Sequence, residues 1–281
     1  MKIIRRALRV LSRHIPFKGR YRLADKLGAW IGAGQRELVI INGVRVELDH
    51  SLLLHRMIYY GLYEENVMNY LKRTIKPGAV VIDPGANIGY FAAVCLGLVG
   101  PAGQVYSFEP SNTAFDYLTR NNPLPRRTNW TVEHAALTDH SGSMVFFDTP
   151  RVITRGFACL EGVFEPKDRV PHPTVVFALD DYCAERAISR IAFLKLDIEG
   201  SELNALRGAR RLLEQRAIEA ILVETSLEPH LRPNAEAIDA LLRSAGFRSF
   251  RVRRNGRLEP IDVLKQQELR EDIIWTLTPV A

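Results

Sequence analysis

Acidic residues follow several short apolar segments of the 281-residue chain. Asp83, Asp197 and Glu224 each come directly after four to six mostly apolar residues, and Glu199 lies two positions beyond Asp197. Such segments are too short for helices and fit buried parallel strands. Because parallel strands place their carboxyl ends at one edge of a sheet, we expect these acids to surround one crevice. Carboxylates grouped there can take the proton of a hydroxyl group or hold a metal ion.

A glycine-rich turn follows the first of these acids. Asp83, Gly85, Asn87 and Gly89 form the pattern D-x-G-x-N-x-G, and residues 90–99 read as an apolar helix. A strand, a glycine turn and a helix are the first unit of a doubly wound nucleotide-binding sheet. The carboxylate at the strand end would repel the pyrophosphate of a dinucleotide. The pattern therefore favours a cationic nucleoside without phosphate, such as S-adenosylmethionine (SAM).

Two further predicted strands supply candidate cofactor contacts. The strand at residues 104–108 ends in Glu109, a position where an acid usually binds ribose hydroxyls. The strand at residues 130–134 is followed by Ala136 and Leu137, small and apolar residues that would flank an adenine ring. Tyr63 precedes a predicted helix close to the crevice and could also touch the cofactor.

Composition and cysteine content describe the class of protein. The chain is 47% hydrophobic and 25% charged, as in ordinary globular proteins, and no apolar run is long enough to span a membrane. Cys95, Cys159 and Cys183 are widely spaced, which argues against a disulfide framework or zinc site and for a reducing compartment. We expect a cytoplasmic protein.

The positive charge of the chain is concentrated at its N-terminus. Residues 1–26 carry nine Lys or Arg and one acid, a net charge of +8, so the remainder of this +6 chain carries −2. On a helix, seven apolar side chains would lie within an arc of about 160° and five basic ones opposite. The apolar set is Ile3, Ile4, Ala7, Leu8, Val10, Leu11 and Ile15, and the basic set is Lys2, Arg5, Arg6, Arg9 and Arg13. Such a helix can lie on an anionic membrane or cap the catalytic domain, and both readings stay open.

The remaining pattern gives the predicted domain plan. Residues 37–48 alternate around Asn42-Gly43 and predict a hairpin, so residues 1–60 form an extension and residues 61–281 the main domain. Residues 149–173 are rich in proline and lack a regular pattern, which predicts a substrate lid. After the last helix, a turn at Asn255-Gly256 predicts a hairpin that adds an antiparallel strand to the sheet.

Several motifs together resemble the FkbM family of SAM-dependent methyltransferases. They are VIDPGANIGYF, FEPS, AALTD, LDDY, LKLDIEGSE and ILVE, in the expected order between Tyr63 and Glu224. The resemblance implies an α/β class I (Rossmann-like) methyltransferase, with a doubly wound, mostly parallel sheet closed by a C-terminal antiparallel hairpin strand. It also implies methyl transfer to an oxygen, often a hydroxyl of a sugar, glycan or secondary metabolite. Pro84 departs from the family pattern, which usually has Val there.

The resemblance assigns roles to the residues that match. The turn of Asp83, Gly85, Asn87 and Gly89 would shape the methionine end of SAM, Glu109 would bind the ribose, and Ala136 and Leu137 the adenine. Asp197 would also contact the cofactor, and Asp197 and Glu199 would face the sulfonium methyl. Glu224 is a further candidate for the general base. These acids could hold a divalent cation, but no His reinforces that reading, and we predict no metal ligand.

Two other functions remain open. An NAD-dependent oxidoreductase would need a turn compatible with pyrophosphate and a hydride-handling residue pair, and neither occurs. A non-catalytic SAM-binding protein that docks on a membrane or partner would keep the pocket, although intact Asp197 and Glu199 argue for catalysis. No nucleic-acid partner is expected, and the oligomeric state is left open.

Overall fold

The computed structural model of the protein describes residues 2–14, 19–32, 34–122, 127–148, 159–160 and 169–278. In chain order the elements are α1 (Lys2–His14), α2 (Arg20–Gly32), β1 (Arg36–Ile41), β2 (Val44–Asp49), α3 (Leu53–Tyr60), α4 (Glu65–Thr74), β3 (Val80–Pro84), α5 (Tyr90–Val99), β4 (Gln104–Phe108), α6 (Asn112–Asn121), β5 (Trp130–Glu133), β6 (Ala135–Thr138), β7 (Gly142–Asp148), β8 (Cys159–Leu160), β9 (Val170–Ala178), α7 (Leu179–Glu185), β10 (Phe193–Leu196), α8 (Glu202–Arg207), α9 (Arg210–Glu214), β11 (Ala220–Ser226), α10 (Arg232–Ser244), β12 (Arg248–Val252), β13 (Leu258–Pro260) and β14 (Arg270–Thr276).

The principal sheet of the described residues has eight strands in the order β13-β12-β14-β11-β10-β3-β4-β5. Strands β11, β10, β3, β4 and β5 are parallel neighbours, and β14 joins β11 in antiparallel register. The chain order reverses between β3 and β10, which is the kind of switch point where open α/β sheets bind ligands. The predicted doubly wound sheet, closed by a C-terminal antiparallel hairpin strand, is confirmed.

A second sheet corrects two sequence predictions. Strands β6, β9, β7 and β8 form it in the order β6-β9-β7-β8. Residues 135–138 are therefore strand β6, paired parallel with β9, and not only the end of a third strand in the main sheet. The predicted lid at 149–173 is too long, because β9 begins at Val170 and pairs with β7, and residues 159–160 form β8. The rest of the predicted lid lies outside the described residues.

The N-terminal segment shares a hydrophobic core with the main sheet. Leu8 of α1, Ala24 of α2 and Val46 of β2 belong to the same buried cluster as Val81 of β3 and Phe91 of α5. The predicted hairpin forms in full register, with β1 and β2 joined at Asn42-Gly43. The division into an extension and a main domain is thus not marked by a break in the core.

Helix α1 packs on a face that the sequence pattern did not single out. Arg5, Leu8 and Ser12 are buried: Leu8 packs in the hydrophobic core, Arg5 donates to Gln35 and Glu37, and the Ser12 hydroxyl donates to the Tyr60 carbonyl. Arginine at this position is therefore part of the packing interface rather than of a solvated basic face. The apolar side chains Ile3, Ile4 and Leu11 point instead to solvent.

Candidate active site

The turn after β3 brings main chain close to the switch point. Gly85 has a φ of 72°, and a Cβ there would lie 2.5 Å from the Asp197 carbonyl oxygen, so only glycine fits without a shift. Asn87 also adopts a left-handed backbone, with φ 51°, and its side-chain oxygen is buried without a hydrogen-bond partner among the described residues. Gly89, with φ 81°, starts α5. The turn predicted from the sequence is therefore formed, and the Asn87 side-chain oxygen remains available to accept a hydrogen bond from a ligand.

Asp83 lies beside this turn as a buried acid. It has no exposed surface, and burial raises the pKa of its carboxyl to about 7. Neither of its oxygens has a hydrogen-bond partner among the described residues. A buried acceptor left unsatisfied is costly, so such a group indicates a place for a donor supplied by a ligand.

Glu109 connects the turn to β4. Its carboxylate accepts from the Asn87 amide at 2.7 Å and from the Ser111 amide at 2.9 Å. Burial raises the pKa of Glu109 to about 7 in spite of these two donors. Ser111 also caps α6, because its hydroxyl accepts from the Ala114 amide. Glu109 thus stands at the crevice where the sequence expected an acid for the ribose.

Replacement of Glu109 by Ala is expected to weaken binding of S-adenosylhomocysteine (SAH) by about tenfold or more. The change removes a charged acceptor, which is worth roughly 1.5–3 kcal/mol. Calorimetric titration measures the affinity, and Glu219→Ala, a change at a half-exposed acid paired with Arg190, is the control. An unchanged affinity in Glu109→Ala would place the ribose elsewhere.

Lys195 is the buried cation of the site. It lies in β10 with 4% of its surface exposed, and its ammonium is 2.7 Å from Asp197 Oδ2 and 3.9 Å from Glu64 Oε1. Burial alone would lower the pKa of Lys195, but the nearby acids, Asp197 foremost, raise it well above its usual value. Burial alone would raise the pKa of Asp197, but the Lys195 ammonium lowers it below its ordinary value. The pair is therefore ionised.

Asp197, Glu199 and Glu224 meet at the ends of β10 and β11. One carboxylate oxygen of each lies within 4.8 Å of the others. Burial, followed by the charge of Asp197, raises the pKa of Glu199 to about 7 and the pKa of Glu224 to about 7. Three oxygen donors at this spacing could also bind a hard divalent cation, although no His or Cys joins them among the described residues. The structure thus brings the three predicted catalytic acids together.

The loop after Asp197 is shaped by its own acids. Glu199 has a φ of 52°, an uncommon conformation for a residue with a side chain. Glu202 accepts from the amides of Ile198 and Gly200 and so holds the loop, while burial raises the pKa of Glu202 to about 7. Ser201, at the N-cap position of α8, makes no side-chain capping bond. Glu202 supplies the acceptor in place of Ser201, because its longer side chain reaches back to the loop amides.

The predicted adenine residues occupy the second sheet. Ala136 and Leu137 are buried in β6 and pair with Val176 and Phe177 of β9. Their side chains pack into two different hydrophobic clusters, so contact of either residue with an adenine ring stays a prediction. Burial raises the pKa of the Tyr63 hydroxyl well above the usual value, and Glu64, Lys195 and Asp197 are its charged neighbours.

Three charged residues of the site escaped the sequence prediction of catalytic and cofactor-binding residues. Lys195 was visible only as an interruption of an apolar strand, and Glu64 had an ordinary explanation as an acid at a helix start. Asp272 lies directly opposite Glu224 in the β11–β14 register, and burial, followed by Glu64 and Asp197, raises its pKa well above the usual value. Of the three residues, only Lys195 could have been found from the sequence. The LKLD motif places a lysine inside a buried strand, where it needs an acid partner.

The fold and the site together define the class of protein. A parallel sheet with its switch point at β3 and β10, a glycine turn after a strand-end acid, and an antiparallel closing strand are the architecture of a class I SAM-dependent methyltransferase. A sequence model of the Methyltransferase FkbM domain matches residues 83–249, more than half of the chain. The chain belongs to this family, and SAM is its cofactor.

Three curated relatives match parts of the chain. The 31-O-demethyl-FK506 methyltransferase FkbM of Streptomyces tacrolimicus is 32% identical over 160 residues, which cover 48% of this chain and 60% of that protein. The hexuronic acid methyltransferase AglP of Haloferax volcanii is 25% identical over 59% of this chain and 64% of its own length. The 2-O-methyltransferase NoeI of Sinorhizobium fredii is 28% identical over 67% and 75%, respectively. The matched regions thus span less than two thirds of the first two relatives.

The residues present fit the cofactor of the family. Asp83 and Asn87 have buried oxygen atoms that receive no hydrogen bond from the part of the chain that the structure describes, and SAM carries an ammonium group and ribose hydroxyls that donate hydrogen bonds. The missing Cβ of Gly85 leaves the turn backbone open to close approach. We therefore expect Asp83, the turn and Glu109 to hold SAM.

Proposed function

We propose that this protein is an O-methyltransferase that methylates a hydroxyl of a sugar, glycan or secondary metabolite. The observation that carries this proposal is the meeting of Asp197, Glu199 and Glu224 beside the glycine turn, with a pKa of about 7 for both Glu199 and Glu224. A base whose pKa lies near the working pH is suited to remove a hydroxyl proton as the new bond forms. Two of the relatives, the 31-O-demethyl-FK506 methyltransferase and the 2-O-methyltransferase, support the same reaction class by their names.

The roles of the three acids follow from their surroundings. SAM supplies an electrophilic methyl group, so the protein has to align the acceptor oxygen and take its proton. Asp197, ionised and paired with Lys195, is a weak base and suits orientation of the ligands. Glu199 and Glu224 are the candidates for the base, and a divalent cation bound by all three acids is the alternative role. A chelator separates the two roles, because its addition lowers the transfer rate only if a bound cation is required.

The test is methyl transfer with the purified protein. Methyl-labelled SAM is offered with hexuronic acid glycosides, neutral glycosides and macrolides, and both labelled product and SAH are measured. Transfer to at least one hydroxyl compound is the expected result. Binding of SAH without transfer to any of them would favour the non-catalytic alternative, and binding of NADH, followed by its fluorescence, would favour an oxidoreductase.

We also propose that residues 1–26 contact an anionic membrane at the cytoplasmic face. Ile3 is 83% and Ile4 55% exposed on α1, and Trp30 is 71% exposed on α2. Exposed Arg6 and Lys26 add positive charge to the same helices. Apolar side chains with basic neighbours and an exposed Trp suit the interface of an anionic bilayer. No helix among the described residues has the length and hydropathy needed to cross a membrane.

Replacement of both Ile3 and Ile4 by Ser is expected to reduce sedimentation with phosphatidylglycerol vesicles several-fold, most clearly at low salt. Sedimentation with phosphatidylcholine vesicles should be weak for every variant. The matched control replaces Leu38 and Ile40 of β1, which are 65% and 70% exposed, by Ser. An equal loss in both double variants would contradict a specific role of α1.

A further inference from the structure

Glu64 lies in the short segment between α3 and α4, outside the part of the chain that matches the family. Its backbone is left-handed, with φ 44°, although it carries a side chain. Such a conformation costs free energy and persists where the surroundings enforce it, often at functional sites. Contacts with neighbouring elements must therefore hold Glu64 in this conformation, and its carboxylate is a candidate for a functional role.

The N-terminal helices hold this segment. The Ser12 hydroxyl of α1 donates to the Tyr60 carbonyl at 3.0 Å, and the Tyr21 hydroxyl of α2 donates to the Leu62 carbonyl at 3.3 Å. Arg20 forms an ion pair with Glu65, the residue after Glu64. The contacts of α1 and α2 thus flank Glu64 on both sides along the chain.

The carboxylate of Glu64 is incompletely paired. Its Oε1 atom is 3.9 Å from the Lys195 ammonium, which lies closer to Asp197, and its Oε2 atom is buried without a hydrogen-bond partner among the described residues. Both oxygens of Asp83 share this condition. Among the described residues, Lys195 is the cation shared by Glu64 and Asp197, and the Tyr63 hydroxyl is a further neighbour of Glu64. The buried oxygens that remain without a partner leave room for another cationic donor.

We propose that Glu64 binds an ammonium group of the ligand and that α1 and α2 position it for this contact. The inference rests on the proposed function, under which that group is the α-ammonium at the methionine end of SAM. An ammonium offers three N–H donors, whereas the sulfonium offers none, so of the two cationic groups of SAM only the ammonium can donate hydrogen bonds to the open oxygens of Glu64 and Asp83. The N-terminal helices thereby contribute to cofactor affinity.

The test compares two ligands that differ in the amino-acid end, which carries the ammonium group. SAH carries the amino-acid end, whereas 5′-methylthioadenosine shares the nucleoside and thioether but lacks that end. Glu64→Gln should weaken SAH by about tenfold or more and leave 5′-methylthioadenosine unchanged. Glu214→Gln, the same change at an exposed acid of α9, is the control. Equal losses for both ligands, or no loss for either, would overturn the proposal.

A second variant tests the positioning by α2. Tyr21→Phe removes only the hydroxyl of a side chain that is 50% exposed, so the fold should tolerate it. It should weaken SAH by about twofold to fivefold and spare 5′-methylthioadenosine; a loss shared by both ligands would contradict positioning of Glu64. Wild-type protein that binds SAH but methylates no acceptor would refute the proposed function, while the two affinities would still decide the role of Glu64.

Discussion

Replacing Glu199 with Gln is expected to lower turnover by about 10²–10⁴ while SAH affinity changes little. Gln keeps the shape of the side chain but cannot take the proton of the acceptor hydroxyl. A base acts as the new bond forms, so its loss affects the transition state far more than cofactor binding. Single-turnover transfer from labelled SAM measures the rate, and calorimetry with SAH measures the affinity.

The pH dependence of the wild type should agree with this role. Because burial raises the pKa of Glu199 to about 7, the active, deprotonated base is gained as pH rises through about 7. The value of kcat/KM should therefore increase between about pH 6 and about pH 8 and then level off. Glu224 lies close enough to titrate together with Glu199, so the apparent pKa belongs to the pair.

Matched variants decide between the candidate roles. Asp197→Asn is expected to reduce both rate and SAH affinity, because it removes the charge that neutralises the buried Lys195 ammonium at a position beside the glycine turn. Both rates are measured with and without a chelator, and loss of wild-type activity with the chelator would make the three acids metal ligands. Full activity in Glu199→Gln would remove it from the mechanism and leave Glu224 as the next candidate.

Replacing Lys195 with Met is expected to lower the free energy of unfolding by about 3–5 kcal/mol, the cost of removing one partner from a buried ion pair. Asp197 and Glu64 would then lack the only cation within 4.0 Å that the described residues provide for them. Met retains much of the apolar length of the side chain, so the loss reports mainly on charge. Urea unfolding followed by circular dichroism measures the difference.

Two further variants serve as controls for the effect of Lys195→Met on stability. Lys72→Met, at an exposed position of α4, should change the free energy of unfolding by less than about 0.5 kcal/mol. Adding Asp197→Asn to Lys195→Met should recover part of the loss, because it removes one of the acids left unpaired. Equal stability of Lys195→Met and Lys72→Met would show that the acids do not depend on this ammonium.

The main sheet was predictable because its strands are short, apolar and followed by turns or acids. Residues 90–99 form helix α5 as predicted, and the hairpin at Asn42-Gly43 followed from turn chemistry alone. The second sheet was not predictable in the same way. Pro171 and Pro173 lower the strand propensity of β9, and only its pairing with β7 establishes the strand.

The candidate site was likewise predictable only in part. Acids after predicted strands could be grouped because the edges of parallel strands coincide, and the structure brings Asp197, Glu199 and Glu224 together. The spacing of residues along the sequence could not predict which charged residues surround these acids. Asp272 is distant in sequence, and only the antiparallel register of β14 places it opposite Glu224. The face on which α1 packs was equally hidden, because burial of Arg5 depends on Gln35 and Glu37.

The close approach of Gly85 to the Asp197 carbonyl has a consequence for how this enzyme can change. The glycine turn that is expected to grip the methyl donor and the loop that carries the acids are in direct main-chain contact, with no side chain between them. Tightly packed groups transmit displacement, so moving one moves the other. A substitution that displaces the glycine turn is therefore expected to displace the loop of acids as well, so that changes in donor affinity and in transfer rate would accompany each other.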